Sequence, residues 1–164
     1  MPEHLPEFVE PASLCEKRAH LRGSIELGSL DRLTDLLLDP RGQANLDLRF
    51  GKSGRRLEIR GSVSADLVLQ CQSCLEPLVF PVNCPVNLAA VTTVDEALLL
   101  PEDVEALMVE ADGKVTLADI VQDELLLAVP VIPRHVHCNS PRLAGSESTR
   151  PNPFAQLAAL KKQS

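Results

Sequence analysis

The stretch from Leu57 to Gln70 constrains this chain more than any other. Leu57, Ile59, Val63, Ala65, Leu67 and Leu69 share odd parity, whereas Glu58, Arg60, Asp66 and Gln70 take even positions. A period of two sustained over that length suits a strand with one dry and one wet face, and it suits no helix. Leu46, Leu48 and Phe50 alternate just before it, and Gly51-Lys52-Ser53-Gly54 supplies turn chemistry between the two runs. The reading is a β-hairpin. Residues 78–82, 86–91 and 105–110 are further strand candidates, the last followed by the Asp112-Gly113 turn signal, and they are expected to extend an antiparallel sheet.

Two helices are expected inside the sheet domain. Leu30, Leu33, Leu36 and Leu37 have helical spacing, with Ser29 placed to cap them, Asp31 in the first turn and Pro40 as the stop. The clearest helix begins at Thr116, where Asp119 approximates a capping box and Leu117, Ile120, Val121, Leu125 and Ala128 share a face up to Pro130. That stripe leaves Asp123 and Glu124 on the solvent side. Residues 130–138 return toward the sheet. Residues 139–151 read as a linker, and Asn152-Pro153 opens a C-terminal helix over 152–164 with Phe154, Leu157 and Leu160 on one stripe. The expected architecture is one α+β domain over residues 1–138. It is a mainly antiparallel sheet or partly open barrel with a few helices, trailed by the linker and the last helix.

Composition narrows the functional classes. Of 164 residues, 45% are hydrophobic and 24% charged, with no apolar run long enough to span a bilayer, so a membrane role is not expected. Glu3, Glu7 and Glu10 occupy a start that has neither a basic nor an apolar leader segment, and the cytoplasm is the expected location. The net charge of −7 is unevenly spread. Residues 81–133 hold 10 acids and only Lys114 as a base, a surface suited to a basic partner. Residues 49–60 reverse the sign: Arg49, Lys52, Arg55, Arg56 and Arg60 face Glu58 alone. This basic hairpin is the candidate nucleic-acid contact, with Lys52, Arg55, Arg56 and Arg60 as its residues. With four Phe and no Tyr or Trp, base stacking is disfavoured, and any RNA would be met at its backbone.

Five cysteines in a chain of this kind are not expected to form disulfides. Cys71-Gln72-Ser73-Cys74 is a turn that lets two thiolates reach one tetrahedral metal, and His135-Val136-His137-Cys138 supplies imidazoles and a third thiolate much later in the chain. A structural zinc on Cys71, Cys74, Cys138 and one histidine would cross-link the long strand to the segment after the long helix. A redox pair is the competing reading, and its context is poor. Redox C-x-x-C pairs sit at a strand-to-helix turn, whereas this one lies between two strand-like stretches. Plainly packed thiols are the third reading, and it suits Cys15 and Cys84 best. No phosphate loop, H-E-x-x-H or G-x-S-x-G occurs, so no reaction is proposed by motif.

Several separate motifs, in order, resemble one family. They are Cys71-Gln72-Ser73-Cys74 after an alternating strand, the acidic stretch, Asp123-Glu124-Leu125-Leu126-Leu127-Ala128-Val129-Pro130, Pro133-Arg134-His135, Cys138, and Asn152-Pro153-Phe154-Ala155-Gln156-Leu157. Together they look like the YceD family of large ribosomal RNA subunit accumulation proteins. The resemblance implies a small non-enzymatic cytoplasmic protein that supports accumulation of large-subunit (23S) rRNA and hence ribosome assembly. It also places Cys71, Cys74, His135 and Cys138 at the family's metal-site positions, with His137 as the alternative to His135. The implied partner is large-subunit rRNA or a pre-ribosomal particle, with a basic ribosomal protein as the further candidate for the acidic stretch. A thiol-based redox protein and a protein adaptor acting indirectly are the alternatives.

Overall fold

The computed structural model describes residues 5–138, so the expected linker and C-terminal helix lie outside the described residues. In chain order the elements are β1 (Phe8–Val9), α1 (Pro11–Glu16), β2 (His20–Glu26), a 3-10 turn (Leu27–Ser29), α2 (Asp31–Thr34), β3 (Gln43–Ser53), β4 (Arg56–Gln70), β5 (Pro77–Val91), α3 (Val94–Leu98), β6 (Glu105–Met108), β7 (Val115–Thr116) and α4 (Leu117–Ala128). Five strands form an open sheet in the order β2-β3-β4-β5-β6, and β1 pairs with β7 in a small second sheet. The architecture is α+β, and the sheet does not close into a barrel.

The hairpin of β3 and β4 is longer than its sequence suggests. Ser53 pairs with Arg56, which leaves only Gly54 and Arg55 in the turn. Gly54 has a φ of 61°, as the first central position of a type II′ turn requires. Gly51, Lys52 and Ser53 therefore belong to the strand rather than to the loop. Farther along, Gly61 lies opposite Leu48, so close to the β3 backbone that a Cβ there would stand 1.8 Å from the carbonyl oxygen of Asp47. Only glycine fits that approach.

The two short strands expected over 78–82 and 86–91 are one strand, β5, which runs straight through Pro81 and Pro85. Amides along a strand point alternately to its two sides, and Pro77, Pro81 and Pro85 share one parity. Their missing donors thus fall on one edge. Below Leu88 that edge has no partner among the described residues, so the ladder to β4 is complete and the open side is blunted. β6 departs from expectation: it pairs with β5 in parallel, not antiparallel, because the chain crosses over through α3 before returning.

The dry face of the sheet carries the core, with Leu48, Ile59, Val63, Leu67 and Leu69 fully buried beside Leu117, Ile120 and Leu125 of α4. α4 begins as its sequence indicates, Thr116 Oγ1 accepting the Asp119 amide. α2 does not. It is a single turn, and the Ser29 hydroxyl donates to the Glu26 carbonyl oxygen instead of capping it. Leu30 and Leu33 still reach the core, whereas Leu36 stays half exposed. Glu124 is a second correction, since it is buried rather than solvated. Glu58 is a third: it stands on the outer face of β4 yet is only 6% exposed.

Candidate metal centre

Cys71 closes β4 and Cys74 follows one turn later, inside a loop that the backbone ties shut. The Cys71 amide donates to the Glu76 carbonyl oxygen at 3.0 Å, and the Leu75 amide donates to that of Cys71 at 2.9 Å. Leu75 has a φ of 63°, left-handed backbone that a leucine adopts only under constraint. The segment after α4 is brought to this loop by the Gln72 amide, which donates to the Pro133 carbonyl oxygen at 2.9 Å. His135 and Cys138 arrive with it.

The sulfur, sulfur, nitrogen and sulfur atoms of Cys71, Cys74, His135 and Cys138 all lie within 4.8 Å of one another. Cys71 Sγ is 3.7 Å from Cys138 Sγ, and Cys74 Sγ is 3.4 Å from His135 Nδ1. Tetrahedral zinc with ordinary bond lengths spaces sulfur from sulfur by about 3.8 Å and sulfur from nitrogen by about 3.6 Å. The donor set and its spacing fit that ion. His135 Nε2 is 3.0 Å from the Pro77 carbonyl oxygen, an acceptor that fixes the ring so that Nδ1 faces the thiols. His137 is exposed and stands outside the cluster.

The electrostatics also suit a cation. The amides of Cys74, His135 and Ser73 point at the fully buried Cys71 sulfur and bring its thiol down to about 5. At Cys74 the Glu76 amide favours the thiolate. Burial and the neighbouring sulfurs of Cys71 and Cys138 outweigh it, so that thiol titrates above its ordinary range. One thiolate is formed readily, and gathering the others around it costs repulsion that a divalent ion would remove. Cys15 and Cys84 lie buried elsewhere, and burial pushes both thiols up.

The basic hairpin is differently arranged from its linear sequence. Arg56 and Arg60 flank Glu58 on the outer face, Arg60 Nη2 at 2.7 Å and Arg56 Nη2 at 3.6 Å from its carboxylate oxygens. Arg55 is exposed at the turn. Lys52 has the opposite parity from Arg49 and pairs with Glu16 of α1 at 3.3 Å, so it is not part of the same face. The register adds two residues that the sequence reading missed. His20 lies opposite Arg49, which lies opposite Arg60, so an imidazole and two guanidinium groups form one row across β2, β3 and β4. Arg22 stands one rung away. Asp47 relieves the repulsion, bonded to His20 at 2.8 Å and to Arg22 at 3.1 Å, and the His20 contact leads in holding its carboxyl below the usual range. The signal available in sequence was the alternation of Leu21 and Ile25, which marks a strand but not its register.

Fold and site together define a small open-sheet α+β protein clasped near one end by three thiols and an imidazole. The chain belongs to the YceD family: the model for large ribosomal RNA subunit accumulation protein YceD matches residues 59–161, a span that includes all four clustered donors. A relative described as large ribosomal RNA subunit accumulation protein YceD, from Haemophilus influenzae, is 31% identical over 169 residues, covering 97% of this chain and 97% of its own. No solved structure matches the chain. Among the described residues, no helix is long and apolar enough to cross a membrane.

Proposed function

We propose that this chain is a non-enzymatic cytoplasmic factor that supports accumulation of large-subunit rRNA by associating with a pre-large-subunit particle. A structural zinc on Cys71, Cys74, His135 and Cys138 shapes it. With four protein ligands such an ion has no open position for a substrate, so it acts as a cross-link. RNA phosphates are met by the hairpin, through Arg55 at the turn and Arg56 and Arg60 beside it, with Lys52 contributing from the opposite face. The description of the matched relative as a large ribosomal RNA subunit accumulation protein supports the cellular role. The observation that carries the metal reading is the convergence of four donors from segments 61 residues apart, with the far nitrogen of His135 already engaged.

The redox alternative uses two of these four residues and leaves the other two unexplained. Its attacking thiolate would be Cys71, which is fully buried. Metal analysis with thiol titration separates the two: about one zinc per chain and slow thiols support the proposal, whereas metal-free protein with a fast Cys71 or Cys74 refutes it. For the RNA surface the test is crosslinking in growing cells, comparing the natural chain with Arg55→Glu. Arg55 makes no ion pair among the described residues, so its reversal leaves the fold intact and isolates the contact. Unchanged rRNA crosslinking would remove the hairpin from the reading.

A further inference from the structure

β6 is the terminal strand of the five-stranded sheet, and nothing among the described residues pairs with its outer edge. The edge lines a cavity of about 600 Å³ whose opposite wall is β7 and the first turns of α4. β7 is likewise paired on one side only, with β1. The open edge of β6 and the short strand β7 thus border one groove. The Val109 amide donates to the Val91 carbonyl oxygen at 2.9 Å, which directs the odd-numbered amides of this strand toward β5 and those of Ala106 and Met108 into the groove.

Three further features describe what would fit. Phe8 and Met108 are 54% and 49% exposed at the groove, an apolar contact without a partner. Its rim carries Glu110, Asp112, Asp119 and Asp123 against Arg32 and Lys114, and Arg32 is already bonded to Asp123. The remaining charge is negative, which repels nucleic acid and attracts a cationic chain. Finally, the fold blunts the open part of the β5 edge with prolines and leaves β6 without one. An unblocked edge beside exposed apolar groups is the geometry for adding a strand.

We propose that the groove between β6 and β7 receives an extended, lysine- or arginine-bearing segment of a partner protein, which pairs with Ala106 and Met108 and joins the two sheets. The groove stands on its own geometry. Only the source of the segment, a basic ribosomal protein, rests on the function proposed above.

The probe is a labelled heptapeptide of alternating Lys and Val, titrated into the full chain, with a Glu/Val peptide as control. Expected are saturable binding that weakens with salt, amide shifts at Ala106 and Met108, and no binding of the control. Ala106→Pro removes one outward donor without touching the β5 ladder and should weaken binding about tenfold. Glu110→Lys should do the same through charge, and it carries the test if the proline variant melts early. Binding that is unchanged in both variants, or absent at about 1 mM peptide, overturns the proposal. So does slow exchange of the Ala106 and Met108 amides in the free protein, which would mean that the chain already covers this edge itself. Loss of rRNA association with peptide binding intact would instead count against the proposed function alone.

Discussion

The imidazole of His135 is anchored by Pro77, its Nε2 at 3.0 Å from the Pro77 carbonyl oxygen. The contact joins the first residue of β5 to a ring that reaches the thiol cluster with its other nitrogen. It makes the thiol and imidazole cluster a three-way junction of β4, β5 and the segment after α4. Losing one of its four donors should therefore loosen all three.

Cys71→Ser and Cys138→Ser each remove one of four donors. Structural zinc contributes an apparent ~10–16 kcal/mol in small fingers, and a chain with a separate core loses a fraction of that. A loss of about 3–5 kcal/mol corresponds to a fall in melting temperature of roughly 6–20 °C. Calorimetry with metal analysis checks it. His135→Cys keeps four donors but loses the Pro77 anchor, so it should retain zinc with affinity lowered about 10- to 100-fold. An unchanged melting temperature in both serine variants would contradict the clasp.

Glu124 sets a pH dependence. Burial, with the Glu105 and Asp123 charges nearby, raises its carboxyl to about 7 from an ordinary 4.5. The folded chain therefore holds a proton that the unfolded chain gives up. Below pH 4.5 both states are protonated and nothing is lost; between 4.5 and 7 stability declines, and above 7 the full penalty stands. Glu124→Gln removes the titration. It should leave stability at pH 4 unchanged and raise it at pH 8 by about 1–3 kcal/mol, read from urea midpoints at the two pH values.

Much of this fold is legible because its dominant element is long. The parity of Leu57 through Leu69 fixes a strand and its dry face, and the capping pair Thr116 and Asp119 fixes the start of α4. The misses have particular causes. Pro81 and Pro85 look like strand breaks, but a proline on an open edge costs no ladder bond, so β5 continues. Glu124 follows Asp123 on the solvent side of a helical wheel, yet it is buried with the charge of Glu105 in β6 nearby, and the crossover that brings β6 back is not visible in local pattern. Ser29 has the right chemistry for a cap but sits in a 3-10 turn that spends its hydroxyl on Glu26. The cysteine spacing points to the clasp, whereas the choice of His135 over His137 depends on where the Pro133 carbonyl docks. The basic row of His20, Arg49 and Arg60 needs register, which three separate strands do not reveal.

Gly61 tests the close approach of β4 to β3. An added Cβ would meet the Asp47 carbonyl oxygen at 1.8 Å and the Leu48 Cα at 3.1 Å, both backbone atoms that cannot swing aside. Gly61→Ala must push the two strands apart between buried Leu48 and Val63. The expected cost is about 3 kcal/mol or more, a fall in melting temperature of at least roughly 6 °C. A wild-type melting curve would show that the strands separate there at no cost.

The proline edge of β5 makes a prediction about solubility rather than stability. Pro77, Pro81 and Pro85 leave that edge without three amide donors, and Val79 beside them is 62% exposed. Replacing Pro81 and Pro85 together with Thr restores two outward donors on an exposed edge and raises strand propensity. The monomer should be no less stable, since the ladder to β4 is untouched. Association through the freed edge should rise with concentration, seen as growth in scattering mass by light scattering on warming, while the natural chain at equal concentration stays constant. A double variant as monodisperse as the parent would mean that the prolines serve the strand's local shape and not the protection of its edge.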